Sequence, residues 1–86
     1  MNFSELVIGS LYRYEMEIAQ GEFQGIKIEQ IVKYLGEDST NVLFEVYEDL
    51  TPHISSVYRE HNKMDIGVGS VIRTGRPAIS HYFKQL

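Results

Sequence analysis

The fold is decided by residues 26–47, which read IKIEQIVKYLGEDSTNVLFEVY. In the first part, Ile26, Ile28, Val32 and Tyr34 fall on one face of a strand, and Lys27, Glu29 and Lys33 fall on the other. This period of two predicts a strand with one buried face. The alternation fails at Gln30 and Ile31, which indicates a β-bulge. A run of turn-forming residues (36–41) and a segment rich in β-branched and aromatic residues (42–47) follow, so the stretch predicts an antiparallel hairpin.

Similar patterns flank the hairpin. Residues 11–19 read LYRYEMEIA, in which apolar side chains alternate with charged ones and predict another half-buried strand. Further along, alternation over 64–68 continues through Val71 and Ile72 to a tight turn at 74–77. Ile79, His81 and Phe83 then alternate with polar residues and predict the last strand.

Residues 51–62 have two interpretations. Thr51 followed by Pro52 is typical of a helix start, with the threonine hydroxyl as the cap. Ile54, Val57, Tyr58 and His61 have the i, i+3, i+4 and i+7 spacing of one helical face. Against a helix, residues 55–58 (SSVY) are mediocre helix formers that suit a strand. The cap and the spacing together favour a short helix.

These elements predict a mainly β fold, or an α+β fold if residues 52–61 are helical. The chain has 86 residues, which suits a single small globular domain spanning 1–86. We expect a small antiparallel curled sheet, or an SH3-like or OB-like barrel, of about five strands with one short helix. A curled sheet is favoured over a flat one because it leaves fewer unprotected edges.

The composition narrows the possible classes of protein. The chain has no cysteine, which excludes disulfides, thiolate metal sites and thiol catalysis. Its apolar runs are far shorter than the roughly 18 residues that a membrane-spanning helix needs. The first residues show no basic start followed by an apolar stretch, so no secretion signal is visible. We therefore expect a soluble, cytoplasmic protein that has no membrane partner.

The charges are sorted by half. Residues 1–50 hold ten of the twelve acidic side chains and only three bases, a net charge of −7. Residues 51–86 hold five bases and two acids, a net charge of +3, together with all three histidines. The two values sum to the net charge of −4. Such asymmetry bears on partners and solubility. We expect the acidic strands 11–19 and 42–47 to form one wall and the bases to cluster elsewhere.

No arrangement of residues indicates catalysis. Gly67 and Gly69 lack the third glycine of a dinucleotide fingerprint, because Ile72 stands in its place. The histidines have no metal-ligand spacing, and the serines lack a nucleophile-elbow context. The acidic residues Glu15 and Glu17 share a strand face that is expected to point to water. We therefore expect no catalytic residue, cofactor or metal, and a protein that is not an enzyme.

The leading hypothesis is a non-enzymatic protein-interaction module: an adaptor, a subunit or a small inhibitor of a larger complex. Tyrosine and arginine are enriched at interfaces, and a homodimer joining acidic and basic halves is one version. The alternative is binding of single-stranded RNA or DNA through a basic, aromatic-interleaved surface. Both hypotheses use the same candidate binding residues, which are Tyr58, Arg59, His61, Lys63, Arg73, Arg76, Tyr82 and Lys84.

Overall fold

In the computed structural model, which describes residues 3–62 and 66–86, five strands form one antiparallel sheet. The strands are β1 (Leu11–Glu17), β2 (Lys27–Glu37), β3 (Asn41–Asp49), β4 (Val71–Gly75) and β5 (Phe83–Gln85). The helices are α1 (Pro52–Asn62) and the single turn α2 (Ile79–Tyr82), with 3-10 turns at Phe3–Glu5 and Arg76–Ala78. The strand order is β4-β3-β2-β1-β5, so the last strand returns to pair with the first. The mainly β prediction is confirmed.

The predicted hairpin forms the middle of the sheet. Its turn is fastened by Asp38, whose Oδ1 accepts hydrogen bonds from the backbone N–H groups of Thr40 and Asn41 at 3.3 and 3.0 Å. Such bonds to the backbone are the reason that aspartate favours turns. Gly36 has a φ of +122°, a backbone conformation that residues other than glycine rarely adopt. A Cβ there would also lie 3.7 Å from Cδ1 of Ile8, so the turn and the N-terminal segment pack closely.

Two irregularities bend the hairpin. The register between β2 and β3 shifts between Ile31 and Val32, so a bulge lies at the predicted place, but its extra residue is on β3, and β2 itself runs regularly through Gln30 and Ile31. At this point Tyr47 is the extra residue on β3, because Val32 pairs with Val46 and Ile31 with Glu48. A second shift leaves Leu35 as the extra residue on β2. Bulges increase the local twist of a strand, and both extra residues are exposed.

The curl of the sheet is measured by one aromatic contact. Phe44 on β3 and Phe83 on β5 stack with ring centroids 4.2 Å apart and planes 18° apart. In a flat sheet these strands would be separated by about 14 Å, which is three interstrand spacings. The sheet therefore folds over a core of buried side chains, which are Tyr12, Val32, Tyr34, Val42, Phe44, Val46, Ile79 and Phe83. The predicted curled sheet is confirmed.

A second, smaller core lies beneath α1. Ile18, Ile28 and Ile66 are buried there, and Ile54 and Tyr58 of the helix pack against them. The helix that the spacing of residues 51–62 predicts is therefore confirmed, and its apolar face meets this core. The hydroxyl of Thr51 accepts a hydrogen bond from the backbone N–H of Glu29 at 3.0 Å. This bond ties the start of α1 to β2.

Two predicted strands at the C-terminal side are wrong in part. Residues 67–70 form a turn in place of the strand, closed by a hydrogen bond from the N–H of Ser70 to the carbonyl of Gly67 at 3.0 Å. The positive φ of Gly69, +91°, interrupts extended backbone there, and β4 begins only at Val71. Met64, with which the prediction starts, lies outside the described residues.

The predicted strand at 79–83 is mostly helical. Pro77 has a fixed φ and no N–H, which suits the first turn of a helix, and a 3-10 turn followed by α2 occupies 76–82. A helical turn places Ile79 and Phe83, four residues apart, in the same core. His81, which the alternation places beside them, is exposed instead.

The aromatic stacking makes Phe44 a test of the fold. Phe44→Leu should lower the free energy of unfolding by about 1–2 kcal/mol, because it removes the stacked ring and leaves a void. Tyr47→Leu changes an exposed aromatic on the same strand and should stay within about 0.5 kcal/mol of the parent. Urea denaturation of the three proteins checks this. Equal losses in the two variants would contradict the assigned core.

Candidate interaction surface

The basic residues of the second half are paired with acids of the first half. On β4, Nη1 of Arg73 lies 3.0 Å from Oδ2 of Asp38. Just beyond β4, Nη2 of Arg76 lies 2.6 Å from Oε2 of Glu37. Both acids sit at the turn of the β2–β3 hairpin, so these pairs join β4 to the hairpin turn. Both are exposed, and pairs of this kind stabilise a fold only modestly.

Lys84 lies at the other end of the strand order. On β5, its Nζ is 2.8 Å from Oε1 of Glu15 on the neighbouring β1. The second carboxylate oxygen of Glu15 lies 3.1 Å from Nε of Arg13. Nη2 of the same arginine lies 2.9 Å from Oε2 of Glu29. The hydrogen bond from Lys84, together with the nearby positive charges, lowers the pKa of Glu15. This network contradicts the expectation that Glu15 only faces water.

Tyr82 and Tyr58 both approach Tyr14. The rings of Tyr14 and Tyr82 have centroids 6.4 Å apart, and the ring of Phe83 lies 5.0 Å from that of Tyr14. Burial, with smaller contributions from Tyr58 and Tyr82, raises the pKa of Tyr14 to about 12. Tyr82 thus packs beside Tyr14, which is partly buried against the larger core, whereas Tyr58 packs against the smaller core. Tyr82 also lines a shallow cleft of about 220 Å³ with Lys84, His81 and acids of β1.

Arg59 lies on α1, at a third position. It lines a cleft of about 200 Å³ together with Asp49, Pro52, Ser55, Ser56, Gly67 and Val68. Asp49 is held in place there, because its Oδ1 accepts hydrogen bonds from Oγ of Ser55 and from the N–H of Thr51, both at 3.0 Å. Of the remaining predicted residues, Lys63 lies outside the described residues, and so does the side chain of His61.

The predicted binding residues therefore do not gather on one surface within the described part of the chain. Arg73 and Arg76 meet the hairpin turn, Lys84 and Tyr82 lie at β5, and Tyr58 and Arg59 lie on α1. The expected acidic wall is wrong as well, since β2 separates β1 from β3. The charge split along the sequence is converted into ion pairs between strands that are distant in sequence.

A different surface appears between β3 and β4. Tyr47, Val68 and Val71 are 55%, 66% and 51% exposed. Val71 pairs with Glu45, two residues before Tyr47. The turn carrying Val68 runs alongside, because the N–H of Gly69 donates to the carbonyl of Val46 at 2.8 Å. We name Tyr47, Val68 and Val71 the β3–β4 patch. Large apolar residues that lie together on a surface mark interaction sites more often than single ones do.

Acidic side chains border the β3–β4 patch. Glu45 lies beside Val71 on the outward face, and Glu48 follows Tyr47 on the same strand. Within the ranges that the structure describes, neither carboxylate belongs to an ion pair. On the opposite side, Val68 also lines the cleft that contains Arg59. The patch thus joins an apolar centre to charged flanks, which is the usual anatomy of a protein interface.

The β3–β4 patch is difficult to predict from the sequence. In the sequence, Tyr47 fits the alternating pattern of a regular strand. In the structure, the bulge leaves it without a partner residue on β2. Val71 reads as the continuation of a strand from 64–68, although it begins an edge strand. The signal that the sequence offers is the broken alternation at Gln30 and Ile31. These residues lie on β2, whereas the extra residue, Tyr47, lies on β3.

Comparison with known proteins found no matching family model, no matching curated protein and no matching solved structure. Among the described residues, no group of three or more histidine or acidic side chains is placed to hold a metal ion. Over the same ranges, no helix is long and apolar enough to cross a membrane.

The ion pair of Lys84 can be tested by titration. Lys84→Met should raise the pKa of Glu15, because the bond that lowers it is lost. A lowered pKa stabilises the fold above the unfolded-state pKa, and this stabilisation is lost as the pH falls through the folded-state value. The variant should therefore show a shallower loss of stability in acid. Carboxyl NMR titration measures the pKa, with Lys33→Met as the control. An unchanged pKa in Lys84→Met would contradict the assignment.

Proposed function

We propose that this chain is a non-enzymatic protein-interaction module, serving as an adaptor, a subunit or a small inhibitor of a larger complex, and that the β3–β4 patch is its contact surface. The observation that carries the proposal is the patch itself: three apolar side chains on neighbouring backbone segments, each more than half exposed. Covering Tyr47, Val68 and Val71 with a partner would remove their apolar area from water, which is favourable. A tyrosine at the centre and an arginine nearby are the residue types that contribute most to such interfaces.

The charges also favour a protein partner over a nucleic acid. Binding a phosphate backbone needs several cations that are free to replace its counterions. Here Arg73, Arg76 and Lys84 each contact a carboxylate of the same chain. A nucleic acid would have to compete with these carboxylates and approach a surface with a net charge of −4. The same ion pairs weaken the case for a dimer that joins acidic to basic halves.

Comparative affinity capture tests the interaction role. The full chain is immobilised and exposed to a lysate of the cells that make it, and the bound proteins are quantified. Tyr47→Ser combined with Val71→Ser should reduce the amount of a captured partner about tenfold, because the central apolar contacts are lost. Val7→Ser combined with Ile8→Ser removes exposed apolar residues elsewhere and should leave capture unchanged. A partner lost equally from both double variants, or from neither, would argue against the β3–β4 patch.

Nucleic-acid binding can be tested directly. A fluorescent single-stranded oligonucleotide, as RNA and as DNA, is titrated with the chain at about 50 mM salt, where electrostatic binding is strong. We expect no change in anisotropy at micromolar protein. Binding that weakens steeply with salt and is lost in Arg73→Ala combined with Arg76→Ala would replace the protein-interaction role with the nucleic-acid role.

A further inference from the structure

The geometry points to a specific mode of binding, which rests on the proposed function: an extended segment of a different protein adds to the free edge of β4 as an antiparallel strand. In this mode the segment places an acidic side chain opposite Arg73 and a basic side chain opposite Val71, with one residue between them. The β3–β4 patch then flanks the added strand rather than forming the whole contact.

The backbone of β4 is oriented for such an addition. Val46 on β3 directs both of its backbone groups toward residues 69–70, with bonds of 2.8 and 2.9 Å. Because this direction alternates along a strand, Phe44 also points to β4, and its partner Ile72 points back. The intervening residues Val71 and Arg73 therefore direct their N–H and C=O groups away from β3. In the described chain, no backbone hydrogen bond from outside the β3–β4 ladder reaches either of them.

The two edges of the sheet differ in how well they are protected. β5 has three residues and carries Lys84 in its middle, and short charged edges resist pairing. β4 is longer, with five residues and no proline; its central charge, Arg73, is engaged by Asp38, and its outward row begins with Val71, which is half exposed. Natural sheets normally guard an edge of this kind. An extended peptide that pairs with such an edge gains main-chain hydrogen bonds along its length.

The side chains of the outward row select the charges of the added strand. Arg73 lies on that row, exposed, and one acid already contacts it, while its guanidinium has five N–H donors. Glu45 sits behind Val71, about 10 Å, or two interstrand spacings, from the added strand. A lysine opposite Val71 can lay its aliphatic stem across the valine and place its ammonium near Glu45. An antiparallel strand running Glu-x-Lys meets both requirements.

A second copy of the chain does not provide this pattern. These 86 residues contain no acidic residue that is followed two positions later by a basic one. Pairing β4 with β4 of another copy around Arg73 would also place two arginines opposite each other, and like charges opposite each other destabilise a sheet. The occupant is therefore expected to be a segment of a different protein.

The test uses the full chain and a synthetic peptide, Thr-Val-Glu-Val-Lys-Val-Thr, with blocked ends. In the antiparallel register, the Glu and Lys N–H groups face β4, and the flanking Val N–H groups face away. N-methylation of Glu and Lys should weaken binding about tenfold or more, because it removes these bonds. N-methylation of the two valines adjacent to Glu gives a control of equal mass and charge, which should bind like the parent. Fluorescence anisotropy measures Kd, and amide NMR shifts of Val71 and Arg73 locate the peptide.

Further outcomes separate this mode from the proposed function. Glu45→Gln combined with Arg73→Gln should weaken binding of the parent peptide several-fold and abolish the preference of the chain for it over a charge-swapped Lys-x-Glu peptide. Equal Kd values for both methylated peptides, or shifts located away from β4, would overturn strand addition. Dimerisation of the chain alone in sedimentation velocity, if abolished by Arg73→Pro, would show that a second copy covers the edge and would also overturn it. In either case, partner capture that depends on Tyr47 and Val71 would leave the interaction role standing.

Discussion

The stacking of Phe44 on Phe83 is the contact on which the rest of the structure depends. It holds strands three positions apart in the sheet within 4.2 Å between ring centroids. Without that closure, the core that contains Tyr12, Val32 and Ile79 would be open to water, and a chain of 86 residues has little other apolar area to bury. The closure also brings β5 back to β1, where Lys84 reaches Glu15. Both the core and the surface charges therefore follow from the same curl.

The pairing of strands explains why the acidic and basic halves of the sequence do not form separate acidic and basic surfaces. The acids at the β2–β3 turn are far in sequence from Arg73 and Arg76, and Glu15 on β1 is far in sequence from Lys84 on β5. The order of the strands in the sheet nevertheless places the members of each pair side by side. Arg73 and Asp38 are 35 residues apart in sequence, and Lys84 and Glu15 are 69 apart. Segregation of charge by half is thus compatible with local neutralisation. Among the described residues, Glu45 lies opposite Lys33 and Glu48 lies opposite Ile31, and neither acid forms an ion pair.

The parts that could be predicted from the sequence are those governed by local periodicity. The strand at 11–17 and the hairpin of β2 and β3 follow from alternation, and α1 follows from its Thr51-Pro52 start and its spacing, although the Thr51 hydroxyl bonds Glu29 rather than the first N–H groups of the helix. The segment 79–82 could not be assigned this way, since alternation of Ile79 and Phe83 fits a strand and also fits a helical turn. The proline two residues before Ile79 was the distinguishing signal. The β3–β4 patch depends on a bulge and on strand order, which periodicity does not encode.

An exposed edge beside an apolar patch would ordinarily promote self-association, and the acidic charge of this chain opposes it. Copies that approach edge to edge each carry Glu45 and Glu48 on β3, one strand behind the pairing edge, and a net charge of −4. A Glu-x-Lys segment carries no net charge and is not repelled in this way, so the same charges discriminate between a copy and such a segment. The exposed backbone of β4 supplies affinity that does not depend on sequence. Arg73 and Glu45 then make that affinity selective, because a segment with the wrong order of charges would leave both side chains facing like charges.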